Sequence, residues 1–369
     1  MNLNHMQRLL DFSSHYRQIK SFYMRYERLL MPVTLVVGFL IDYFTFTSIR
    51  LTTTFALLLL YWLVLGATIV FIHFFDAGAL PQKLKYLRLF APLAIQFTFG
   101  ALLGSSLVFY WLSGTLSVSW PIITIVVVLM ASNDIFRHYF LNPIIQIGIY
   151  FFTTLSLLSL MLPFMFNSLG SWVFLLAGVL SIGIFYPFIV FLLPIKERRV
   201  KQKMLIGIFA VLLLMNVLYF TNIIPPIPLS LREAGLYHGI MVSRGSYIMQ
   251  GEPETLWQRL IPGQTVHTKS GEKIYLYTAI FAPAKLQTTI VHHWQYYDPI
   301  KKDWVDRGLL SFAIVGGRKE GYKGYSFESD LEAGAWRIYV ENERGQVLGR
   351  ITFQVKRVKE KIELKETTR

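Results

Sequence analysis

Apolar residues fall into two patterns along this chain, and the change between them is abrupt. Over residues 29–224 they come in seven long runs, at 29–49, 54–75, 89–112, 116–131, 144–166, 172–193 and 204–224. A hydrocarbon layer about 30 Å thick needs roughly 20 apolar residues of helix, so runs of this length predict membrane-spanning helices rather than soluble core helices. The fourth run is the shortest and places Trp120-Pro121 in its first turn, where proline is tolerated. The first run does not read as a cleaved signal peptide, because it begins late and lacks a small-residue cleavage site.

After residue 224 the period becomes two. Pro225-Pro226-Ile227-Pro228 cannot continue a helix and marks a stiff linker at 225–230. Alternation of apolar and polar residues then predicts strands at 237–242, 265–268, 273–281, 287–297, 309–315, 336–340 and 347–355. Glu343-Arg344-Gly345 between the last two reads as a hairpin turn with glycine in the left-handed position. Short strands without a long helix predict an antiparallel β-sandwich of immunoglobulin or fibronectin type over 231–357, with a small barrel as the alternative. The charged tail, 358–369, is expected to be poorly ordered. The fold class is therefore an all-α membrane bundle of about seven helices followed by an all-β sandwich. Residues 1–28 add a basic amphipathic segment. Leu9, Phe12, Tyr16, Ile19, Tyr23, Tyr26 and Leu30 form one helical stripe there, for a membrane interface or for a partner helix.

Charge changes the picture in one respect. Of 369 residues only 16% are charged, yet the formal net charge is +14, an excess that in a soluble protein would suggest nucleic acid. Most of it is positional. Fourteen Lys and Arg residues precede the first run or lie in alternate loops, and the remaining loops hold Arg50 alone. Such asymmetry predicts a cytoplasmic amino terminus and a non-cytoplasmic region after residue 224. The partner it implies is a lipid bilayer, and nucleic acid is not expected. The chain has no cysteine, which excludes disulfides and thiolate chemistry.

Chemistry is sparse. No His-Glu-x-x-His, Gly-x-Ser-x-Gly, phosphate loop or Gly-x-Gly-x-x-Gly occurs, so no catalytic residue, metal site or cofactor is predicted. Among intramembrane polar residues Asp42 stands near the middle of the first run, or else near its outer end. Asp134 and Arg137, with Asn133 and His138, form a cluster at the end of the fourth run, and Asp134 and Arg137 have the spacing of a helix-terminating pair. His73 and Asp76 share a helix face and suit a capping role. Gly100 to Gly104 has the small-x-x-x-small form of close helix packing. In the outer domain, alternation turns His292 toward the apolar face with Trp294, either as a core histidine bonded to a backbone carbonyl or as a ligand contact. The Gly-rich stretch 316–326 reads as a flexible loop. Arg318, Lys323, Tyr325 and, beside it, Arg337 are candidates for binding an anionic or sugar ligand. His238 and His267 are also present, and nothing in the sequence brings them together.

His292 with Trp294, Gly316-Gly317-Arg318, Gly334-Ala335-Trp336-Arg337 and the strand at 345–355 resemble a bacterial family known only as a domain of unknown function. Tyr237-His238 and the Pro-rich linker are similar as well. The helical half resembles the membrane part fused to this domain in proteobacterial proteins. An Asn-Glu pair is usual there, and Asp134 departs from it. The resemblance implies a bacterial inner-membrane protein with a periplasmic domain, and supplies no activity. Three functions are expected to compete: a non-enzymatic anchor presenting a domain that binds an envelope glycan, peptide or protein; a transporter or lipid-handling protein; and an envelope enzyme at the outer membrane face. The enzyme would need a second ionisable group meeting Asp42, His238 or His292.

Overall fold

The computed structural model describes residues 51–135, 143–192, 198–243, 245–253, 264–318 and 320–369, with isolated helical positions at 26, 33, 37 and 40. The first expected span, Asp42 within it, most of the amino-terminal stripe, and Arg137 with His138 lie outside these residues. Asp134 is placed in a helix, but its side chain is not described.

Among the described residues six long helices precede the strands: α1 (Leu51–Asp76), α2 (Lys85–Ser113), α3 (Leu116–Ile135), α4 (Pro143–Phe166), α5 (Ser171–Leu192) and α6 (Arg198–Phe220). Six of the seven expected runs fall among the described residues, and five of those six are helices long and apolar enough to cross a membrane. The sixth, α3, has an apolar stretch of only Val118–Met130, because Ser117, Ser119, Ser132, Asn133 and Asp134 make its ends polar. Pro121 falls at its sixth residue, one turn deeper than expected.

Contacts divide the chain into two compact units. One holds Met1–Val108, Thr124–Met161 and Phe174–Val217; the other holds Phe109–Ile123, Leu162–Val173 and Leu218–Arg369. In the first unit α2 and α4 are the most enclosed helices. Their small residues permit this: Gly100 to Ser106 is buried without interruption, as the small-x-x-x-small spacing predicts. Trp62 Nε1 donates to Thr154 Oγ1 at 2.7 Å, joining α1 to α4. Asp76 takes a two-pronged contact from Arg88, at 2.8 Å for each oxygen. Its partner is thus an arginine of the next helix, not His73.

Among the described residues the second unit contains eleven strands. β1 (Ser230–Tyr237), β5 (Lys273–Phe281) and β8 (Tyr322–Ser329) form one sheet in the order β1-β5-β8. β4 (Gln264–Thr268), β6 (Gln287–Asp298), β7 (Asp303–Val315), β9 (Gly334–Asn342) and β10 (Val347–Arg357) form a second, in the order β4-β10-β9-β6-β7. β2 (Gly239–Ser243), β3 (Ser246–Gly251) and β11 (Lys365–Thr368) form a third. The first two sheets enclose Ile274, Leu276, Ile280, Ile290, Trp294, Trp336, Ile338 and Phe353. β5 turns Tyr277 and Ala279 the other way, against Met249 of the third sheet. The two main sheets, with β4 parallel to β10 and a buried Trp294 on β6, give an immunoglobulin-like arrangement without its disulfide.

Three expectations change here. The Pro-rich stretch is not an exposed linker: residues 224–229 are buried, and the unit boundary falls before them at Leu218. The tail is not loose, since β11 pairs with β3 and Arg369 Nε donates to Glu233 at 2.7 Å. Half of the supposed Gly-rich loop is β8, paired along its length with β5.

The β9–β10 hairpin turns as expected, with Gly345 at φ 73°. Its tip holds on to the helix ends of its own unit. Asn222 Nδ2 donates to Arg344 O at 3.0 Å, and Gln346 Nε2 donates to Ile224 O at 3.2 Å. The Arg344 guanidinium lies 4.7 Å over the Tyr219 ring and also donates to Leu169 O. This tip therefore marks the helix-proximal end of the sandwich.

Candidate functional site

The expected ligand set does not converge. β8 directs Ser326 inward and so leaves Lys323 and Tyr325 on the outer face of the β1-β5-β8 sheet. Lys323 pairs with Glu320 at 2.9 Å, and the Arg318 guanidinium rests 4.9 Å over Tyr322. Arg337 belongs to β9, next to inward-facing Trp336, and so lies on the outer face of the other sheet. There it covers Trp304 at 4.1 Å and donates to Gln295 Oε1 at 2.6 Å. The two groups occupy opposite faces of the sandwich.

Glycines after β7 and within β8 serve close packing. A Cβ at Gly316, after β7, would stand 1.7 Å from Pro283 O, and one at Gly324, within β8, would stand 2.5 Å from the Phe312 ring. Gly317 N donates to Ala282 O at 3.1 Å, so the stretch is pinned to the β5–β6 connection.

His292 is a core residue, as the first of its two readings holds, although its partners are hydroxyls rather than a carbonyl. Nδ1 lies 2.8 Å from Ser326 Oγ and Nε2 lies 3.1 Å from Thr278 Oγ1. Trp294 Nε1 shares Ser326 Oγ at 3.0 Å. The ring is fully buried, and burial lowers its pKa to about 3. A ligand has no access to it. His293, on the opposite face, bonds to Asp306 Oδ1 at 2.7 Å.

The cluster that forms unannounced joins three strands from three sheets. β1 ends at Tyr237 and delivers His238; β3 ends at Gly251 and delivers Glu252; β4 carries His267. Glu252 Oε1 lies 3.2 Å from His238 Nε2 and accepts the His267 backbone N–H at 2.6 Å. Its Oε2 lies 2.7 Å from His267 Nδ1. Burial pushes the Glu252 carboxyl up, but these donors outweigh it and hold it below the usual carboxylate range. The three residues line a cleft of about 670 Å³, whose opposite wall is residues 358–363. The His238 side chain is 5% exposed and its Nδ1 has no hydrogen-bond partner, whereas the His267 side chain is 38% exposed.

Register places this cleft at the end of the sandwich remote from the hairpin tip. β1 runs from Ser230, after the helix end, to Tyr237, a rise of about 25 Å at the usual 3.3 Å per residue. Parallel pairing sets His267 opposite Lys356, near the end of β10, while the Arg344 turn precedes its start. Neither His238 nor His267 had a sequence neighbour to reveal the partnership, and Glu252 carried no signal at all.

An apolar helical region and an immunoglobulin-like sandwich with a distal His-Glu-His cleft define the molecule. Residues 287–355, which cover most of β6–β10, match the family described as Protein of unknown function (DUF2914). The core residues His292, Trp294, Ser326 and Trp336 lie inside that match; His238, Glu252 and His267 lie outside it. No curated protein matches. Among solved structures, an immunoglobulin-like protein from Pseudomonas aeruginosa is 15% identical, covering 34% of this chain and 97% of its own, with a TM-score of 0.19. A beta-glucosidase from Listeria innocua in complex with isofagomine is 9% identical over 33% of this chain and 16% of its own, with a TM-score of 0.18. The alkylpurine DNA glycosylase AlkC of Pseudomonas fluorescens is 10% identical over 80% of this chain and 97% of its own, with a TM-score of 0.21. Such scores transfer neither fold nor function.

Proposed function

We propose that this chain is a multi-spanning protein of the bacterial inner membrane that presents its sandwich in the periplasm to bind an envelope glycan, peptide or protein, without catalysis. The amino terminus is cytoplasmic in this reading. The observation that carries the binding role is the cleft at the end of the sandwich remote from the β9–β10 hairpin tip. Two facts support the membrane setting. Leu60, Leu63, Val179, Phe191, Ile206 and Phe209 leave large apolar side chains exposed along the helices. At the helix ends of the second unit Trp111, Trp120, Trp172, Phe166 and Phe220 are all exposed, an aromatic belt of the kind found at a membrane interface. Lys83 in the α1–α2 connection, Lys85 at the start of α2, and Lys201 and Lys203 in the first two turns of α6 belong to the first unit, which this reading assigns to the cytoplasmic side.

A reporter active only in the periplasm tests the arrangement. Fused after Val355 it should be active, and fused after Lys201 it should be silent. The reverse pattern removes the reading.

One observation favours a second reading. Glu252 fixes the His267 ring by its Nδ1 and leaves Nε2 toward the cleft, the geometry by which a carboxylate orients a general base. An envelope enzyme would use that nitrogen, although at the remote end of the domain rather than at the membrane face. Turnover of an envelope polymer by the full chain that is lost in His267→Asn would establish it.

A further inference from the structure

We infer that the cleft takes a neutral, hydroxyl-rich ligand, a sugar; this rests on the reading of the sandwich as a binding module and names its ligand class. Glu252 is the pivot. Because it stays ionised, each imidazole donates its near N–H to it, His238 through Nε2 and His267 through Nδ1. In its neutral form each ring then keeps a lone pair on its far nitrogen. That of His238 Nδ1 is buried beside the cleft and has no donor. A buried acceptor without a donor is unfavourable; Nδ1 is itself closed to solvent, so a ligand hydroxyl removes the deficit only as the ring turns toward the cleft. The second lone pair, on His267 Nε2, belongs to a ring 38% exposed in the cleft wall.

The rest of the lining narrows the ligand. An anion would meet two fixed lone pairs and the carboxylates of Glu252, Glu360 and Glu363. A cation would meet Lys359 and Lys361. A metal ion would compete with the carboxylate for the near nitrogens. Among the described residues no group of three or more His, Cys, Asp or Glu is arranged to hold one. Hydroxyl groups donate and accept together, so they satisfy the imidazoles and the lysines at once. The cleft volume of about 670 Å³ lies within the range of small-ligand sites and accommodates a disaccharide.

The full chain in detergent is titrated calorimetrically with cellobiose, maltose and N,N′-diacetylchitobiose, and with the uronic-acid and amino-sugar counterparts of cellobiose. At least one neutral disaccharide should bind, more tightly than either charged sugar. His267→Asn keeps an N–H for Glu252 but lacks the far lone pair. It should weaken binding by about tenfold or more and shift the melting temperature by less than about 2 °C. Independently of any variant, the bound sugar should slow modification of His267 by diethyl pyrocarbonate severalfold. No neutral sugar binding at about 10 mM, a preference for a charged sugar, or unprotected His267 in the presence of bound sugar would each overturn the inference. An active reporter after Val355 together with failed titrations removes only the sugar. A silent reporter removes the anchored-domain reading whatever the titrations give.

Discussion

Two histidine clusters of the sandwich use different hydrogen-bonding partners and are put to opposite use. At His292 both ring nitrogens meet hydroxyls, Thr278 on one side and Ser326 on the other, and the ring is fully buried. At His238 and His267 a single carboxylate serves two rings, and each ring is left with one nitrogen unused. The first cluster has no capacity for a ligand. The second has both capacity and a cleft. The difference lies in how many of a ring's two nitrogens the fold has already occupied, which residue type and strand alternation do not report. His292 stands in a conspicuous His-His-Trp string and is structural, whereas the open cluster is assembled from positions 238, 252 and 267 and has no string at all.

The comparison is broken most severely by removing the packing that holds the closed cluster. Trp336 is buried, lies parallel to Phe353 with an interplanar angle of 22°, and donates from Nε1 to Glu332 O at 2.9 Å. Trp336→Ala should cost about 3–5 kcal/mol, as for a large aromatic removed from a core. Denaturant unfolding of the outer region, followed by tryptophan fluorescence, measures it. A loss below about 1 kcal/mol would mean that this side of the sandwich is not a packed core.

Acid should separate the two clusters next. The folded pKa of His292 is about 3 against an ordinary 6.5, so the unfolded chain takes up its proton first as pH falls. Stability from the neutral ring is complete above pH 6.5 and is lost progressively below it, by about 2 kcal/mol at pH 5. Glu252 is also depressed, but from a carboxylate value of 4.5, so its contribution is lost only as pH falls through and below that region. Unfolding measured from pH 7 to pH 4 should therefore show a slope beginning below 6.5 that disappears in His292→Gln. The lower part of the curve should flatten in Glu252→Gln. An unchanged upper slope in His292→Gln would assign it to other groups.

How far each region was legible from sequence has a physical explanation. β5 begins and ends where its alternation places it, at Lys273 and Phe281, because its inward face, Ile274, Leu276 and Ile280, is apolar apart from Thr278. The Asn342–Gln346 turn was equally plain, through Gly345. β8 was not: Tyr322-Lys323-Gly324-Tyr325-Ser326 lacks β-branched residues, and its strand state comes from pairing with β5 and from Ser326 reaching His292. β11 is four residues long and polar, and it exists through pairing with β3. In the helical half, apolar run length located the described helices, and only the apolar stretch of α3, Val118–Met130, is short of a span. The cleft depends on parallel pairing of β4 with β10 and on the ends of β1 and β3, all long-range facts. Local pattern reads elements; it does not read which ends of them meet.

The smallest expected effect sharpens the comparison between the cleft and the β8 face that sequence favoured. Arg318 is exposed, and its guanidinium lies over Tyr322 at 4.9 Å. A cation–π contact at such a site contributes about 0.5–1 kcal/mol, so Arg318→Ala should lower stability by no more than that. It touches no part of the cleft lining, so sugar affinity should be unchanged within a factor of about two. A binding role for the β8 face requires the opposite: a loss on the order of 2 kcal/mol in affinity, the size of a charge-assisted contact, with the melting temperature held. Arg318→Lys would then recover only part, since lysine lacks the planar fork. Measured beside His267→Asn, the two variants assign the ligand to one surface. A tenfold loss of affinity on the order of 1.4 kcal/mol in Arg318→Ala, with none in His267→Asn, would move it from the cleft to the outer face of β8.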